Sequence, residues 1–302
     1  MQKRLICILV FLTVFKTTFS QVDTSKGARI EKRKMLLSSS AMLLTTGSLL
    51  YLNQAWYADY ATGNFHFFND NAEWMQMDKL GHTFTTYQTS RLMMNAYDWA
   101  GFTKNKTMWI GGTMGFAYMT AIECMDGFSS GWGFSWGDMC ANAFGSSLAI
   151  SQQAFWREQR VLLKFSYNNS GFAQYNPTLL GENFSTQLLK DYNGQSYWLS
   201  INPSSFMPKE TKFPKWLNVA LGYNAIGMIG GFINNDVTDK NGNVLHFERQ
   251  RNYYLSLDVD LSRIKTKSKV LKGIFSVFNL LKIPAPALEL SGHSLKFRPI
   301  YY

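Results

Sequence analysis

A run without charged residues, from Met35 to Ala58, is the feature that most limits what this chain can fold into. The run is long enough to cross a bilayer, but its serines and threonines make it only moderately apolar. A basic lead-in, residues 26–34, precedes it and would ordinarily stay on the cytoplasmic side of a membrane span. A helix packed within a bundle, or lying partly in a membrane, therefore fits this segment better than a simple span.

The first residues of the chain predict export. A short basic stretch is followed by an apolar run from Leu5 to Phe15, and Thr18 and Ser20 then supply the small residues of a cleavage site. Residues 1–20 are therefore predicted to be a cleavable signal peptide, with an uncleaved N-terminal anchor as the alternative. Cys7 lies inside the apolar run with no cleavage site before it, so a lipid-anchored mature N-terminus is not expected. The mature chain is predicted to be periplasmic or membrane-associated in the bacterial cell envelope.

Three further helices are predicted, over Trp74 to Trp99, Thr107 to Met125 and Ser135 to Arg157. The second contains glycines at positions 111, 112 and 115. Glycine is costly in a water-exposed helix, yet it lets two packed helices approach closely. Residues 21–158 are therefore predicted to form a membrane-associated helical bundle of about four helices.

The pattern changes after Arg160. Tyr254 to Ser262 alternates leucine and valine on one face with serine and aspartate on the other, which indicates a half-buried strand. Two dipeptides, Asn193-Gly194 and Asn241-Gly242, are plausible hairpin turns. The predicted fold class is α+β, with a smaller antiparallel β-rich region over residues 159–302. Weaker strand candidates are Val161 to Tyr167, Ser196 to Ile201, Trp216 to Tyr223 and Leu288 to Phe297.

The β-rich region is also basic. Residues 159–302 contain 17 basic and nine acidic residues, a net charge of +8. On an exported protein such a charge favours anionic lipid or a cell-wall polymer as partner over nucleic acid. A plainly solvated surface is the alternative, and the sequence does not indicate an oligomeric state.

Same-face polar pairs on the predicted helices form the candidate site. The members of each pair are three or four residues apart, so they share a helix face. Ionisable residues in such charge-poor surroundings are costly, and pairing among them is expected. The residues of the candidate site are Asp78, Lys79, His82, Glu123, Asp126, Asp138 and Asn142.

Each pair also has a purely structural interpretation. Asp138 follows Ser135 by three residues and can cap its helix. The carboxylate and imidazole at positions 78 and 82 can be a satisfied core pair, and the acids at 123 and 126 can close a helix or face water. Asn142 can be an interhelical hydrogen bond. The thiols of Cys124 and Cys140 can pair in an oxidising compartment or stay buried and free.

The run Asp78-Lys79-Leu80-Gly81-His82, followed by Glu123 and by Trp136-Gly137-Asp138 with Asn142 and Gly145, resembles the YfiM-like family of predicted periplasmic proteins. That family is a domain of unknown function. The same pattern is more distantly similar to VanZ-like membrane proteins. The resemblance covers roughly residues 75–155 and implies a helical, membrane-linked envelope module. Many YfiM-like proteins are thought to be lipoproteins, and this chain departs from them by lacking a lipidation cysteine. Neither family supplies a catalytic assignment.

Three functions follow as hypotheses. In the first, the polar cluster binds a lipid or cell-wall headgroup, with Lys79 contacting phosphate and the other members fixing the pocket. In the second, a membrane-linked hydrolase or transferase uses His82 as general base oriented by Asp78, with Glu123 or Asp138 as acid partner or metal ligand. No pair has a spacing diagnostic of a metal site, and the sequence leaves any cofactor unknown. In the third, the cluster only holds the helices together.

Overall fold

The computed structural model describes residues 28–57, 60–238 and 241–302. The predicted signal peptide, residues 1–20, lies outside the described residues. The chain forms two compact units. The helical unit comprises the described residues up to Asn71 together with Thr85–Glu158, and the sheet unit comprises Ala72–Phe84 and Gln159–Tyr302. Helices followed by an antiparallel sheet confirm the predicted α+β class.

Four long helices carry the first part of the chain. They are α1 (Ala28–Tyr57), α2 (Met77–Ala100), α3 (Gly112–Asp126) and α4 (Trp136–Trp156). A single turn over Lys104–Lys106 and a π-helical stretch over Thr107–Gly111 lead into α3. The predicted helices therefore exist, although the second begins with a π-helical segment. The helix predicted from Trp74 begins at Met77, because a turn of left-handed residues precedes it.

Helix α1 packs on its neighbours along one face and is open along the other. Leu49 and Tyr57 pack against Met125 of α3, and Leu37 packs against Tyr97 of α2. Within the described residues one helix, Arg29–Tyr57, is long and apolar enough to cross a membrane by length and composition. Of the residues in its apolar 18-residue stretch, 17% are buried. The buried residues of α1 lie on the face that packs against α2 and α3.

The glycines of the α3 region allow close helix packing, as predicted. A Cβ at Gly111 would lie 3.1 Å from the backbone of Met94 on α2, and a Cβ at Gly115 would overlap the carbonyl oxygen of Thr86. The free space that a Cβ would need is taken up by the backbone of α2. Only glycine therefore permits this separation of the two helices.

The described part of the sheet unit contains eight strands: β1 (Val161–Tyr167), β2 (Gln195–Ile201), β3 (Leu217–Ile226), β4 (Val237–Thr238), β5 (Val244–Leu245), β6 (Gln250–Val259), β7 (Ala285–Ser291) and β8 (Ser294–Tyr301). Six of them form one antiparallel sheet in the order β1-β2-β3-β6-β7-β8. A separate hairpin pairs β4 with β5 across the predicted Asn241-Gly242 turn. The segment predicted as one strand from Leu288 to Phe297 is in fact a hairpin of two strands that turns at Gly292. Asn193-Gly194 precedes β2 and joins no hairpin.

Short helices connect the strands. Between β1 and β2 lie α5 (Pro177–Leu180) and α6 (Phe184–Lys190), and between β6 and β7 lies α7 (Lys269–Phe278). Ser268 caps the start of helix α7 and Asn279 caps its end. The side chain of Asn279 binds Asp260 and the backbone of Leu261. Single 3₁₀ turns cover Phe172–Tyr175, Pro203–Phe206 and Leu261–Arg263.

The sheet buries its polar face and exposes its apolar face. On β6, Asn252, Ser256 and Asp258 are buried, whereas Leu255 and Leu257 are 46% and 48% exposed. The predicted strand is therefore present, but its leucines point outward. We call the buried side the enclosed polar face and the other side the apolar outer face.

Curvature of the sheet explains how polar side chains become enclosed. Tyr301 of β8 packs within 5.9 Å of Trp198 of β2 and stacks on Tyr254 of β6 at 4.3 Å. The strands β2 and β8 are four places apart, which in a flat sheet would separate them by roughly 19 Å. The sheet therefore curls around the enclosed polar face, and side chains from distant strands meet there.

Candidate functional site

A strained turn sets the start of α2 and the direction of its first polar residues. Trp74, Met75 and Gln76 have positive φ angles of 47°, 51° and 66°, a conformation that costs most residues of order 1 kcal/mol or more each. Trp74 donates its N–H to the Gly231 carbonyl at 2.8 Å, and the Tyr223 hydroxyl donates to the Met75 carbonyl at 2.7 Å. The surrounding sheet unit thus holds the turn in place.

Asp78 is the centre of the cluster in the sheet unit. Its Oδ1 accepts a hydrogen bond from the Tyr192 hydroxyl at 2.7 Å, and its Oδ2 accepts one from Lys79 Nζ at 3.0 Å. Nε2 of His82 lies 3.7 Å from Oδ1, which is an electrostatic contact longer than a hydrogen bond. The four-residue spacing therefore does place the carboxylate and imidazole on one face. We call Asp78, Lys79, His82 and Tyr192 the Asp78 cluster.

The charge state of Asp78 follows from its neighbours. Burial raises the pKa of the Asp78 carboxyl, but the charges of His82 and Lys79 and the hydrogen bonds from Tyr192 and Lys79 outweigh it and lower that pKa to about 2. The carboxylate is therefore ionised at neutral pH. Its basic neighbours keep only 15% and 13% of their side-chain surface exposed.

Aromatic side chains surround the Asp78 cluster. Trp74 packs on Tyr192 at 5.4 Å, and Phe84 packs on Tyr197 at 5.8 Å. A Cβ at Gly81 would lie 3.0 Å from the Tyr197 hydroxyl oxygen, so glycine lets this phenol approach the helix. Burial and the charge of Asp78 both raise the pKa of Tyr197, which keeps it a neutral donor to Gln195 at 2.7 Å.

In the helical unit, Ser135 joins two of the predicted site residues. Its backbone N–H donates to Glu123 Oε2 at 3.1 Å, and its hydroxyl accepts from the Asp138 N–H at 3.2 Å. The same hydroxyl donates to Asp70 Oδ1 at 2.6 Å. Ser135 is therefore the N-cap of α4. Asp138, which the sequence suggested as the capping residue, contributes its backbone N–H to this cap, and the carboxylate of Glu123 accepts a hydrogen bond from the backbone N–H of Ser135.

The remaining members of the candidate site connect helices. Asp126 accepts a hydrogen bond from the Tyr57 hydroxyl of α1 at 2.7 Å. Asn142 is fully buried and accepts from the Thr86 hydroxyl of α2 at 3.0 Å. One turn further along α4, the hydroxyl of Ser146 donates to the Gly112 carbonyl at 2.5 Å. Asn142 thus has the interhelical role that its residue type predicts.

Cys124 and Cys140, the cysteines within the described residues, are not joined by a disulfide; Cys140 is exposed and Cys124 is half-buried. Three side chains with a part in these networks escape prediction from the sequence. Tyr192 lies 114 positions from Asp78 and Asp70 lies 65 positions from Ser135, so no local spacing signals either contact. Thr86 lies on the same helix as His82 but has no charge that would single it out.

Comparisons with known proteins find a family match for part of the chain. No curated protein and no solved structure matches it. Residues 66–154, which include all seven predicted site residues, match the model of a family described as predicted periplasmic lipoprotein (DUF2279). That description confirms the predicted localisation, export to the cell envelope. Over residues 66–154, the chain is therefore similar to a family of predicted periplasmic lipoproteins of unknown function.

Proposed function

We propose that this exported envelope protein binds a phosphate-bearing headgroup at the Asp78 cluster. The source of the phosphate would be an envelope lipid or a cell-wall polymer, and Lys79 would contact it. The observation that carries the proposal is that two basic side chains flank one carboxylate in a half-buried, aromatic setting. A charged group buried to this extent is costly unless it serves pairing or function.

The strained turn before α2 supports the same proposal. Left-handed non-glycine residues persist where the surrounding structure fixes them, and they concentrate at functional sites. Here the strain fixes the direction of the helix turn that carries Asp78, Lys79 and His82. Lys79 presents an ammonium, which binds phosphate as a point charge, and Asp78 would hold the ammonium and the imidazole on either side of itself.

Isothermal titration of the purified chain would test this proposal with three probes. The probes are vesicles of phosphatidylglycerol, the lipid-free diester glycerophosphoglycerol, and a muropeptide that lacks phosphate. Binding to the free diester supports a phosphate site. Binding to the vesicles alone supports a lipid headgroup at the cluster only if Lys79→Ala with His82→Ala weakens it, and overturns the proposal if that variant binds the vesicles equally well. Binding only to the muropeptide, or to no probe, overturns the proposal.

The variants make the test specific. Lys79→Ala with His82→Ala removes both basic groups, and affinity for glycerophosphoglycerol should fall about 10- to 100-fold, the usual worth of charged hydrogen bonds. Lys212→Ala with His293→Ala is the matched control, because both residues are exposed in the sheet unit. Equal affinity in the two double variants would refute the role of the cluster. A lowered melting temperature with unchanged affinity would assign the cluster a structural role only.

The alternative is a membrane-linked hydrolase or transferase, favoured by the placement of the Asp78 carboxylate 3.7 Å from His82. Tyr192 and Lys79 fix that carboxylate, which would orient the imidazole as general base. The role of acid partner or metal ligand that the sequence suggests for Glu123 or Asp138 stays a prediction. The resemblance to VanZ-like membrane proteins likewise stays a prediction. Phosphorus NMR of phosphatidylglycerol vesicles incubated with the chain, with elemental analysis for bound metal, tests turnover. Unchanged lipid and no metal would exclude this alternative.

A further inference from the structure

We propose that the sheet unit has its own docking surface for an anionic lipid bilayer, made of helix α7 and the apolar outer face of the sheet. This surface does not include the Asp78 cluster. It rests on the polarity of the sheet, on the exposed apolar side of α7 and on the lysines around that helix.

The apolar outer face has exposed residues on β3, β6, β7 and β8, whereas on β1 and β2 it is half-buried and Phe84 packs on its Tyr197. One row of directly paired residues consists of leucines that end in a phenylalanine, and four of its members are exposed. A single exposed leucine on a soluble protein needs no explanation, but a contiguous apolar face marks an interaction site. The row runs Leu163, Leu199, Leu221, Leu255, Leu288 and Phe297.

The polarity of the sheet is the reverse of that expected in water. Antiparallel sheets of soluble proteins turn the apolar side of the alternation to the core and the polar side to the solvent. Here Lys164, Asp258 and Glu289 are enclosed, while the leucines on the other face are open. An exposed leucine face is favourable where lipid replaces water, because lipid chains are as apolar as the side chains themselves.

Helix α7 likewise exposes an apolar side to solvent. Val270, Ile274 and Phe278 follow at four-residue intervals on one side, and they are 71%, 43% and 54% exposed. Leu271 and Val277 extend the same side. The helix is anchored beyond its end, where Phe165 of β1 exchanges backbone hydrogen bonds with Leu280 and Lys282. The helix is therefore fixed to the sheet but presents its apolar side outward.

The lysines identify the occupant. Lys265, Lys267, Lys269 and Lys272 are all exposed along α7 and the segment that leads into it. Protein interfaces are depleted of lysine, whereas basic amphipathic helices that lie in the headgroup region of a membrane are rich in it. Anionic lipid attracts each lysine near the surface and accepts the apolar side chains between them. The chemistry therefore favours an anionic bilayer over a protein partner.

The experiment must measure membrane contact at α7 alone, because helix α1 can also contact vesicles. Val277→Cys carries an environment-sensitive fluorophore in the full chain with Cys7→Ser, Cys124→Ser and Cys140→Ser. Phosphatidylglycerol vesicles should shift its emission to the blue and shield it from an aqueous quencher, and phosphatidylcholine vesicles should not. The same label at Val244→Cys, an equally apolar and 57% exposed position on β5, should not respond.

Charge variants complete the test. Lys269→Gln with Lys272→Gln should weaken partitioning of the Val277 label about 30-fold, and the matched Lys209→Gln with Lys212→Gln should leave it unchanged. No shift with phosphatidylglycerol overturns the proposal, and so does a shift that grows with protein concentration without lipid, which would assign the surface to a second copy. The Lys79→Ala with His82→Ala variant should keep the shift, so failure of the headgroup site is distinguishable from failure of this surface.

Discussion

Substitution of Asp258 by asparagine should destabilise the sheet unit strongly. Asp258 lies on the enclosed polar face with its side chain fully buried, and its Oδ2 is 2.8 Å from the equally buried Nζ of Lys164. The carboxylate also accepts from the Ser200 hydroxyl at 2.6 Å and from the Ile283 N–H at 3.1 Å. Asp258→Asn removes the negative charge at nearly constant volume and leaves the cation of Lys164 behind.

The magnitude follows from the burial of both partners. Removing one partner of a buried ion pair typically costs about 3–5 kcal/mol, because the other charge stays in a medium that solvates it poorly. For a unit of this size each kcal/mol lowers the melting temperature by about 2–4 °C. Asp258→Asn should therefore lower the melting temperature of the sheet unit by about 6–20 °C.

Scanning calorimetry measures the shift, and two further variants isolate its cause. Asp236→Asn is the matched control, since Asp236 pairs with His246 at 2.6 Å but both side chains are mostly exposed. Its effect should stay within about 0.5 kcal/mol. Adding Lys164→Met to Asp258→Asn removes the orphaned charge and should restore part of the lost stability. If Asp258→Asn shifts the transition no more than Asp236→Asn does, the buried pair of Asp258 and Lys164 does not stabilise the sheet unit.

Three further predictions concern other buried groups. Burial, reinforced by Lys164 and partly offset by Asp258, lowers the pKa of Lys282 to about 8 from 10.5, so the unfolded chain binds more protons between these values. The free energy of unfolding by urea, relative to that of Lys282→Met at the same pH, should therefore rise from pH 8 to pH 10.5. Gly115→Ala should lower the stability of the helical unit by about 1–3 kcal/mol in urea titrations through overlap with α2. Gly47→Ala, where nothing lies within 4 Å, should be neutral or stabilise by up to about 1 kcal/mol. Tyr192→Phe removes the hydrogen bond to the ionised Asp78, so it should cost about 1.5–3 kcal/mol and raise the pKa of that carboxyl in an NMR titration.

The sequence predicts local structure well where one periodicity extends over many residues. The helix over Trp136–Trp156 is recognisable from its uncharged stretch and from the cap at Ser135. The start of α2 is not recognisable, because Trp74 to Gln76 are ordinary helix residues that the sheet unit forces into left-handed conformations. The turn at Gly292-His293 lacks a strong hairpin signature, so the sequence predicts one strand where the structure has two, β7 and β8.

Alternation reveals a strand but not which of its faces is buried. For Tyr254 to Ser262 that depends on the curvature of the sheet, which brings Tyr301 onto Trp198 and encloses the serine and aspartate side. The candidate site divides in the same way. The spacing of Asp78 and His82 predicts their proximity. The contact of Tyr192 with Asp78 depends on chain topology, and no local sequence pattern predicts it.

Residues Ala72–Phe84 group with the sheet unit, and this has a consequence for the order in which the chain folds. Trp74 and Met77 belong to the same core cluster as Ala225 and Met228. A chain exported from its N-terminus delivers these two residues well before the strands that cover them. Contacts of such high sequence separation close late and slowly. Trp74, just before the first turn of α2, therefore stays exposed to solvent until the strands of the sheet unit have folded. A fragment that begins at Gln159 would lack part of its own hydrophobic core.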